Sequence, residues 1–334
     1  MKAFVVKKYG KDGLRSAEMP NPIPGSRDVL VEIRAASINP LDKMVRNGEF
    51  KQLLKYKTPF VLGHDLAGVV TGVGDAVRNF KVGDEVYTRP RDHRIGSFAQ
   101  QIAIDQDDVA LKPKSLTMQE AAAVPLVALA AWQSLINVAR VKPGQKVLVH
   151  AGAGGLGSTV IQLAKYLGAY VATTATGSDE KKVRSLGADE VIDYTKADFL
   201  DLLTDYDLVL DSLGGENLLR SLTVLKPGGL AISVVGPPDS AFAAQLGRPL
   251  LKPVMWWLSR KVRAQARRLG VRYSFFFMRA DGEELKKLAA LYDSGDLRPI
   301  VDRTFPFDET LDAMAYVEQG RAKGKIVVTF NTSG

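Results

Sequence analysis

The run Val147-Leu148-Val149-His150 opens into Ala151-Gly152-Ala153-Gly154-Gly155-Leu156-Gly157, whose glycines are spaced G-x-G-x-x-G, and then into Ser158-Thr159-Val160-Ile161-Gln162-Leu163-Ala164-Lys165. The apolar residues before the glycines read as a buried parallel strand, and Val160, Leu163, Ala164 and Leu167 after them recur at helical spacing. Strand, tight turn and helix in that order constrain the chain to a doubly wound sheet with a dinucleotide at the turn. The spacing predicts that Gly152 permits the turn and that Gly154 lets a pyrophosphate lie against bare backbone. Gly157 then lets the helix close on the strand, with unpaired N–H groups aimed at the phosphates. In a chain with 30 glycines in 334 residues the triplet alone would be weak; the flanking elements give it meaning.

A second strand follows at Tyr170-Val171-Ala172-Thr173-Thr174. An NAD site expects an acid at its end, about twenty residues beyond the glycines, to hold the ribose 2′-hydroxyl. This chain has Thr174-Ala175-Thr176-Gly177-Ser178 instead, with Lys181 and Lys182 close by. Hydroxyls and cations accept a 2′-phosphate that a carboxylate would repel, so the pattern favours NADPH.

Rhythm divides the rest. Up to about residue 120, short β patterns at 2–7, 28–36, 67–73, 85–89 and 98–104 are separated by turn residues such as Gly72-Val73-Gly74-Asp75, which predicts an antiparallel, barrel-like domain. A helical pattern then runs from Gln119 toward Ala139. Strands at 147–150, 170–174, 190–193, 208–211, 229–235 and 273–277 follow, alternating with helices at 158–167, 181–186, 217–222 and 283–294. A last helix at 309–319 and strand at 325–330 are expected to return to the first domain. The domains expected are therefore 1–120 with 300–334, and 121–299.

The chain contains no cysteine, which removes disulfides, thiolate nucleophiles and cysteine-ligated zinc from consideration. No apolar run reaches the length of a membrane span, and Met1-Lys2-Ala3-Phe4-Val5-Val6 leads into a strand rather than a signal peptide, so a cytoplasmic location is the default expectation. The net charge of +8 is local: Arg248, Lys252, Arg260, Lys261, Arg263, Arg267, Arg268 and Arg272 occupy a window without Asp or Glu.

With these pieces in place, the sequence resembles the medium-chain dehydrogenase/reductase superfamily, within it the zinc-independent quinone oxidoreductase and enone (alkenal) reductase branch. The pieces that carry the resemblance are Ala36-Ser37-Ile38-Asn39-Pro40-Leu41-Asp42, the run from Pro59 through Gly63-His64-Asp65 to Gly68, and Val82-Gly83-Asp84-Glu85-Val86-Tyr87. The Gly152 loop, Ser185 through Tyr194, and Gly324-Lys325-Ile326-Val327-Val328 complete them. The resemblance implies a GroES-like β-rich barrel domain joined to a Rossmann domain with a doubly wound parallel sheet, an α/β architecture, and NADPH as cofactor. It places Gly154, Gly155, Leu156 and Gly157 on the pyrophosphate. Thr174, Thr176 and Ser178 fall at the 2′-phosphate, where Lys181 or Lys182 substitutes for a family lysine missing near Asp179, and Tyr194 lines the adenosine end. The backbone of Val235-Gly236 and Phe276-Phe277 would hold the nicotinamide carboxamide, and Asn39 would face the nicotinamide side. Zinc-using members have a ligand histidine at the position of His64. Without cysteine that histidine has lost its partners, so no metal site is expected and His64 reads as a turn or core residue; His150 likewise reads as packed.

Hydride transfer needs little from the protein beyond orientation and stabilisation of developing charge. For an α,β-unsaturated carbonyl, hydride goes to the β-carbon and hydrogen-bond donors hold the enolate until solvent supplies a proton; for a quinone the oxygen takes the charge. Candidate donors are Asn39, Lys43 and Tyr87, with Asp42 fixing Lys43 or the loop. Each also has a structural reading: Asn39-Pro40 as a turn initiator, Lys43 as a solvated cation, Tyr87 as core. Quinone-reductase relatives place a tyrosine near position 44, where Met44 stands. The alternatives are a zinc-free alcohol or carbonyl dehydrogenase of the same fold, and a nucleotide-binding protein whose basic segment engages RNA or membrane. The locality of the charge and the lack of interleaved stacking aromatics argue against nucleic acid.

Two expectations concern partners. Residues 252–269 read as one basic amphipathic helix with Met255, Leu258, Val262, Ala266 and Leu269 on one side and Trp256-Trp257 near its start. Such a helix is either a surface element packed on the nucleotide domain or a lid that also makes peripheral membrane contact. Residues 273–278 read as an apolar edge strand that pairs with its copy in a homodimer, an expectation that a concentration-independent monomer in sedimentation would refute.

Overall fold

The computed structural model describes residues 1–52, 54–320 and 322–330, which fall into two compact units, Met1–Leu129 with Arg279–Gly334, and Ala130–Met278. The first unit is β-rich. Its strands β1 (Lys2–Val6), β2 (Leu14–Glu18) and β4 (Phe60–Val61) form a small sheet in the order β2-β1-β4. Strands β3 (Asp28–Ile38), β5 (Asp65–Val73), β6 (Glu85–Thr88) and β8 (Val109–Leu111) continue a larger sheet from the returning strands β15 (Val301–Pro306) and β16 (Lys325–Thr329). Its order is β15-β16-β3-β5-β6-β8, with β7 (Gln101–Asp105) also on β3. The register sets Ser37 opposite Asp65 on one side and Val327 on the other, so the end of β3 and the starts of β5 and β16 meet.

The borders differ from the expected 120/121 and 299/300. Leu126 N–H donates to Asp65 Oδ1 at 2.8 Å, which ties 121–129 to the first unit. The helix Gly282–Asp293 packs on β8, where a Cβ on Gly282 would lie 2.4 Å from the Val109 carbonyl oxygen, so only glycine permits the approach. The helix expected from 119 to 139 is broken at Pro125, which cannot donate to the ladder. The segments observed are Met118–Ala122, Pro125–Trp132 and a π-helical turn Gln133–Ala139.

The second unit holds β9 (Lys146–Val149), β10 (Tyr170–Ala175), β11 (Glu190–Asp193), β12 (Tyr206–Asp211), β13 (Leu225–Ser233) and β14 (Arg272–Phe275). All its pairings are parallel, in the order β11-β10-β9-β12-β13-β14, the Rossmann arrangement whose direction reverses between β9 and β12. Leu148, Ala172, Val209 and Ala231 on the sheet pack with Leu218, Leu222, Val262, Ala266 and Val271. The expected edge strand 273–278 is β14, ending at Phe275 and paired, among the described residues, with β13 alone.

The helix expected over 252–269 is two helices, Lys252–Leu258 and Arg260–Arg268, separated at Ser259. The buried Ser259 turns its Oγ back to the Met255 carbonyl at 2.8 Å, leaving the inward row Met255, Ser259, Val262 and Ala266. Leu258 therefore faces outward, contrary to its place in the expected apolar stripe. Among the described residues no helix is long and apolar enough to cross a membrane.

Candidate functional site

In the second unit the glycine loop follows β9 at the sheet's switch point. The tight turn is made by Ala151, which adopts a left-handed φ of 54°, and not by Gly152 as the spacing suggested. Gly152 is required for space: a Cβ there would lie 2.1 Å from Thr173 Oγ1. On Gly157 it would lie 2.3 Å from the Ala151 carbonyl oxygen, so the helix Gly155–Tyr166 can start only where it does with glycine at that position. Gly154 is the N-cap, and the first N–H bonded inside the helix is that of Ser158, to the Gly154 carbonyl at 3.0 Å. The N–H groups of Gly155, Leu156 and Gly157 are thus left for an anion, at the positive end of the helix.

Thr174 does not reach the coenzyme side. It is buried, and its Oγ1 receives the Ala151 N–H at 3.2 Å and lies 3.1 Å from His150 Nδ1. His150 Nε2 is 2.8 Å from Ser221 Oγ, whose own proton goes to the Asn217 carbonyl, so His150 carries its proton on Nε2 and Thr174 donates to Nδ1. Burial pushes the His150 pKa down to about 4, against a partial upward pull from Asp211. A folded-state value below the unfolded one means that the unfolded chain binds the extra proton first. The stability due to neutral His150 is therefore complete above pH 6.5 and lost as pH falls toward 4. A His150→Gln variant is expected to lose that part of the acid slope in chemical denaturation curves collected across this range.

Beyond β10, Ser178 Oγ lies 2.9 Å from Thr176 Oγ1, which donates to the buried Asp179 at 2.7 Å. The nearest acid after the glycines is thereby held by the loop itself. Lys182 Nζ donates to the Ala153 carbonyl at 3.1 Å, which brings it to the glycine loop, while Lys181 is exposed. Tyr194 is 60% exposed and bonds the end of β10 through its N–H, to the Ala175 carbonyl at 3.3 Å. Sequence reasoning missed Asp193 and Lys196: from where a Gly177 Cβ would be, Asp193 Oδ2 is 2.6 Å and Lys196 Nζ 3.7 Å away, and the two pair with each other at 3.4 Å. Hydrogen bonds from Thr195 hold the Asp193 carboxyl below the ordinary carboxylate range.

At the ends of β12 and β13, buried Asp211 accepts the Gly214 N–H at 3.1 Å and Ser233 Oγ at 2.6 Å. Ser233 Oγ receives the Gly236 N–H at 2.8 Å, its carbonyl receives the Phe276 N–H at 2.9 Å, and Gln245 Nε2 donates to the Phe277 carbonyl at 2.7 Å. Of the backbone groups that the resemblance put on the carboxamide, these three are engaged within the unit. Val235 stands exposed at the strand end.

In the first unit a buried polar cluster forms where β3, β5 and β16 meet. Asp65 Oδ2 receives Ser37 Oγ at 3.0 Å, Asn39 Nδ2 at 2.9 Å and Lys325 Nζ at 3.2 Å, and Lys325 also donates to Asn39 Oδ1. Asp42, at the start of the helix Pro40–Asn47, accepts the Asn39 N–H at 2.7 Å and lies 2.6 Å from His64 Nδ1, so it fixes the loop and not Lys43. His64 is buried, as expected of a core histidine.

Two of the three candidate donors are thus withdrawn: the Asn39 amide is engaged at both ends, and the buried Tyr87 hydroxyl donates to the Leu285 carbonyl at 2.6 Å. Lys43 is half-buried and has no ion pair among the described residues. Asp65 and Lys325 were also missed as a pair. The signal was Lys325 standing directly before the apolar run Ile326-Val327-Val328, a position that buries its charge and requires an acid.

Two family models match the chain. Residues 25–114 match the family model of the alcohol dehydrogenase GroES-like domain and 186–328 that of zinc-binding dehydrogenase. A zebrafish (Danio rerio) protein named NAD(P)H oxidoreductase RTN4IP1, mitochondrial, is 33% identical over 98% of this chain and 91% of its own length. The NADPH-dependent alkenal/one oxidoreductase, chloroplastic, of Arabidopsis thaliana is 36% identical over 98% of this chain and 79% of its own. The quinone oxidoreductase structure from Coxiella burnetii superimposes with a TM-score of 0.87 at 31% identity, covering 99% of both chains. A GroES-like unit with a Rossmann unit and a phosphate-ready glycine loop defines a dinucleotide-using oxidoreductase. The chain belongs to the medium-chain dehydrogenase/reductase superfamily, in its zinc-independent branch.

Proposed function

We propose that the protein is an NADPH-dependent reductase of α,β-unsaturated carbonyls or quinones that works without a metal. The observation that carries the reading is the rim after β10, where Asp179 is turned inward onto Thr176, Lys182 reaches the Ala153 carbonyl of the glycine loop, and Lys196, paired with Asp193, stands beside Gly177. The names of the Arabidopsis and Coxiella relatives support the two substrate classes.

Bound NADPH supplies the hydride. The chain's own share is binding and orientation: the Gly155, Leu156 and Gly157 N–H groups would take the pyrophosphate, and Lys182 and Lys196 at the rim would take the 2′-phosphate. Lys43 is the remaining donor for the charge left on a reduced enone or quinone oxygen, with solvent supplying the final proton. Hydride to the β-carbon and a proton to the α-carbon balance the enone reaction; hydride and a proton to the quinone give the hydroquinone.

A panel of a simple enone, a quinone and a saturated ketone, followed by NADPH absorbance on protein treated with a chelator, tests the reading. Turnover of the enone or the quinone, with the ketone inert, is expected. Turnover of the ketone alone, or loss of all turnover on chelation, would contradict it.

A further inference from the structure

The segment 248–272 plays no part in the site above, and its surface is unlike the rest of the molecule. Between residues 240 and 280 there is no Asp or Glu, while eight Arg and Lys lie between Arg248 and Arg272. Many arginines elsewhere meet carboxylates, as Arg94 meets Asp28 at 2.7 Å and Arg184 meets Glu180 at 2.8 Å. Among the described residues, none of the seven cations from Lys252 to Arg272 forms an ion pair. The same segment exposes large apolar side chains: Leu250 is 92% exposed, Val254 53%, Trp256 51%, Trp257 55% and Leu258 45%. The inward row Met255, Ser259, Val262 and Ala266 already anchors both helices, so this outward set is surplus to the core.

Cations and aromatics share one surface. The Arg260 guanidinium lies 4.0 Å from the Trp257 ring centre and that of Arg263 lies 4.7 Å from the Trp256 ring centre. We propose that helices Lys252–Leu258 and Arg260–Arg268 form a docking surface for an anionic lipid bilayer, with Leu250, Val254, Trp256, Trp257 and Leu258 entering the headgroup boundary. Tryptophan favours that boundary, amphipathic helices with one basic side lie in it, and unpaired cations gain there from lipid phosphate and carboxylate. A second copy of the chain is disfavoured as the occupant, because a two-fold contact would set the basic segment against its own like charges. Nucleic acid is disfavoured because one face of each tryptophan is covered by arginine and the remaining exposed set includes aliphatic residues that do not stack on bases.

The test is flotation of the full chain with vesicles of phosphatidylcholine alone and of equimolar phosphatidylcholine and phosphatidylserine. Binding to the second only, weakened by salt, is expected. The variant Trp256→Ala/Trp257→Ala is expected to bind about tenfold more weakly. Leu250→Ser/Lys261→Ala, at two exposed positions where misfolding is not a concern, is expected to lose about fivefold for the charge alone. Both should turn over a water-soluble enone at the wild-type rate. The proposal is overturned by absence of vesicle binding, by equal binding to both vesicles, by competition from heparin with no effect of the tryptophan changes, or by sedimentation showing that those changes dissociate a dimer.

Discussion

A Gly157→Ala variant is expected to bind NADPH about 100-fold more weakly and to unfold more easily by about 1–3 kcal/mol. The added Cβ would meet three backbone atoms, the Ala151 carbonyl oxygen at 2.3 Å, its carbon at 2.9 Å and Gly152 Cα at 2.8 Å. None can rotate away as a side-chain tip would. The first turn of the helix must move off the loop, and its three free N–H groups move with it. Gly154→Ala is the informative control, since a Cβ there has only the Ala151 carbonyl within reach, at 3.3 Å. Its melting temperature should stay near wild type, and any loss of affinity then reports the coenzyme itself against that Cα. Calorimetric titration and thermal unfolding of the two variants separate the effects.

Lys325→Met is expected to lower the stability of the first unit by about 3–5 kcal/mol, because it leaves the Asp65 carboxylate buried without its cation. Asp65 keeps Ser37, Asn39 and the Leu126 N–H, which orient it without neutralising it. Adding Asp65→Leu to Lys325→Met should restore part of the loss, since an apolar pair tolerates burial where a lone charge does not. Urea unfolding measures both. Coenzyme affinity, which the proposed function assigns to the glycine loop and rim within Ala130–Met278, should change little in either variant.

How far the sequence could be read depended on whether partners lay nearby in the chain. The strand, loop and helix from Lys146 to Tyr166 were legible because their constraint is local: spacing of glycines and apolar periodicity. The fates of Tyr87 and Asn39 were not, since their partners Leu285 and Lys325 stand 198 and 286 residues away. Thr174 looked like a phosphate ligand by position, but its direction is set by the sheet and by His150 on the neighbouring strand's end. Lys196 escaped because it approaches Gly177 through space, from the end of β11. The pattern 252–269 identified Met255, Val262 and Ala266 as inward and misplaced Leu258, because Ser259 closes one helix and opens a second.

Titration of the wild-type protein with NADPH and with NADH, alongside Lys196→Ala, bears most directly on the claim that a phosphorylated coenzyme rests on the glycine loop and rim. One charge-assisted contact to the 2′-phosphate corresponds to about tenfold or more. The wild type should therefore prefer NADPH by at least about that factor, and Lys196→Ala should weaken NADPH without changing NADH. Saturable binding of neither coenzyme, or tighter binding of NADH, would contradict the account.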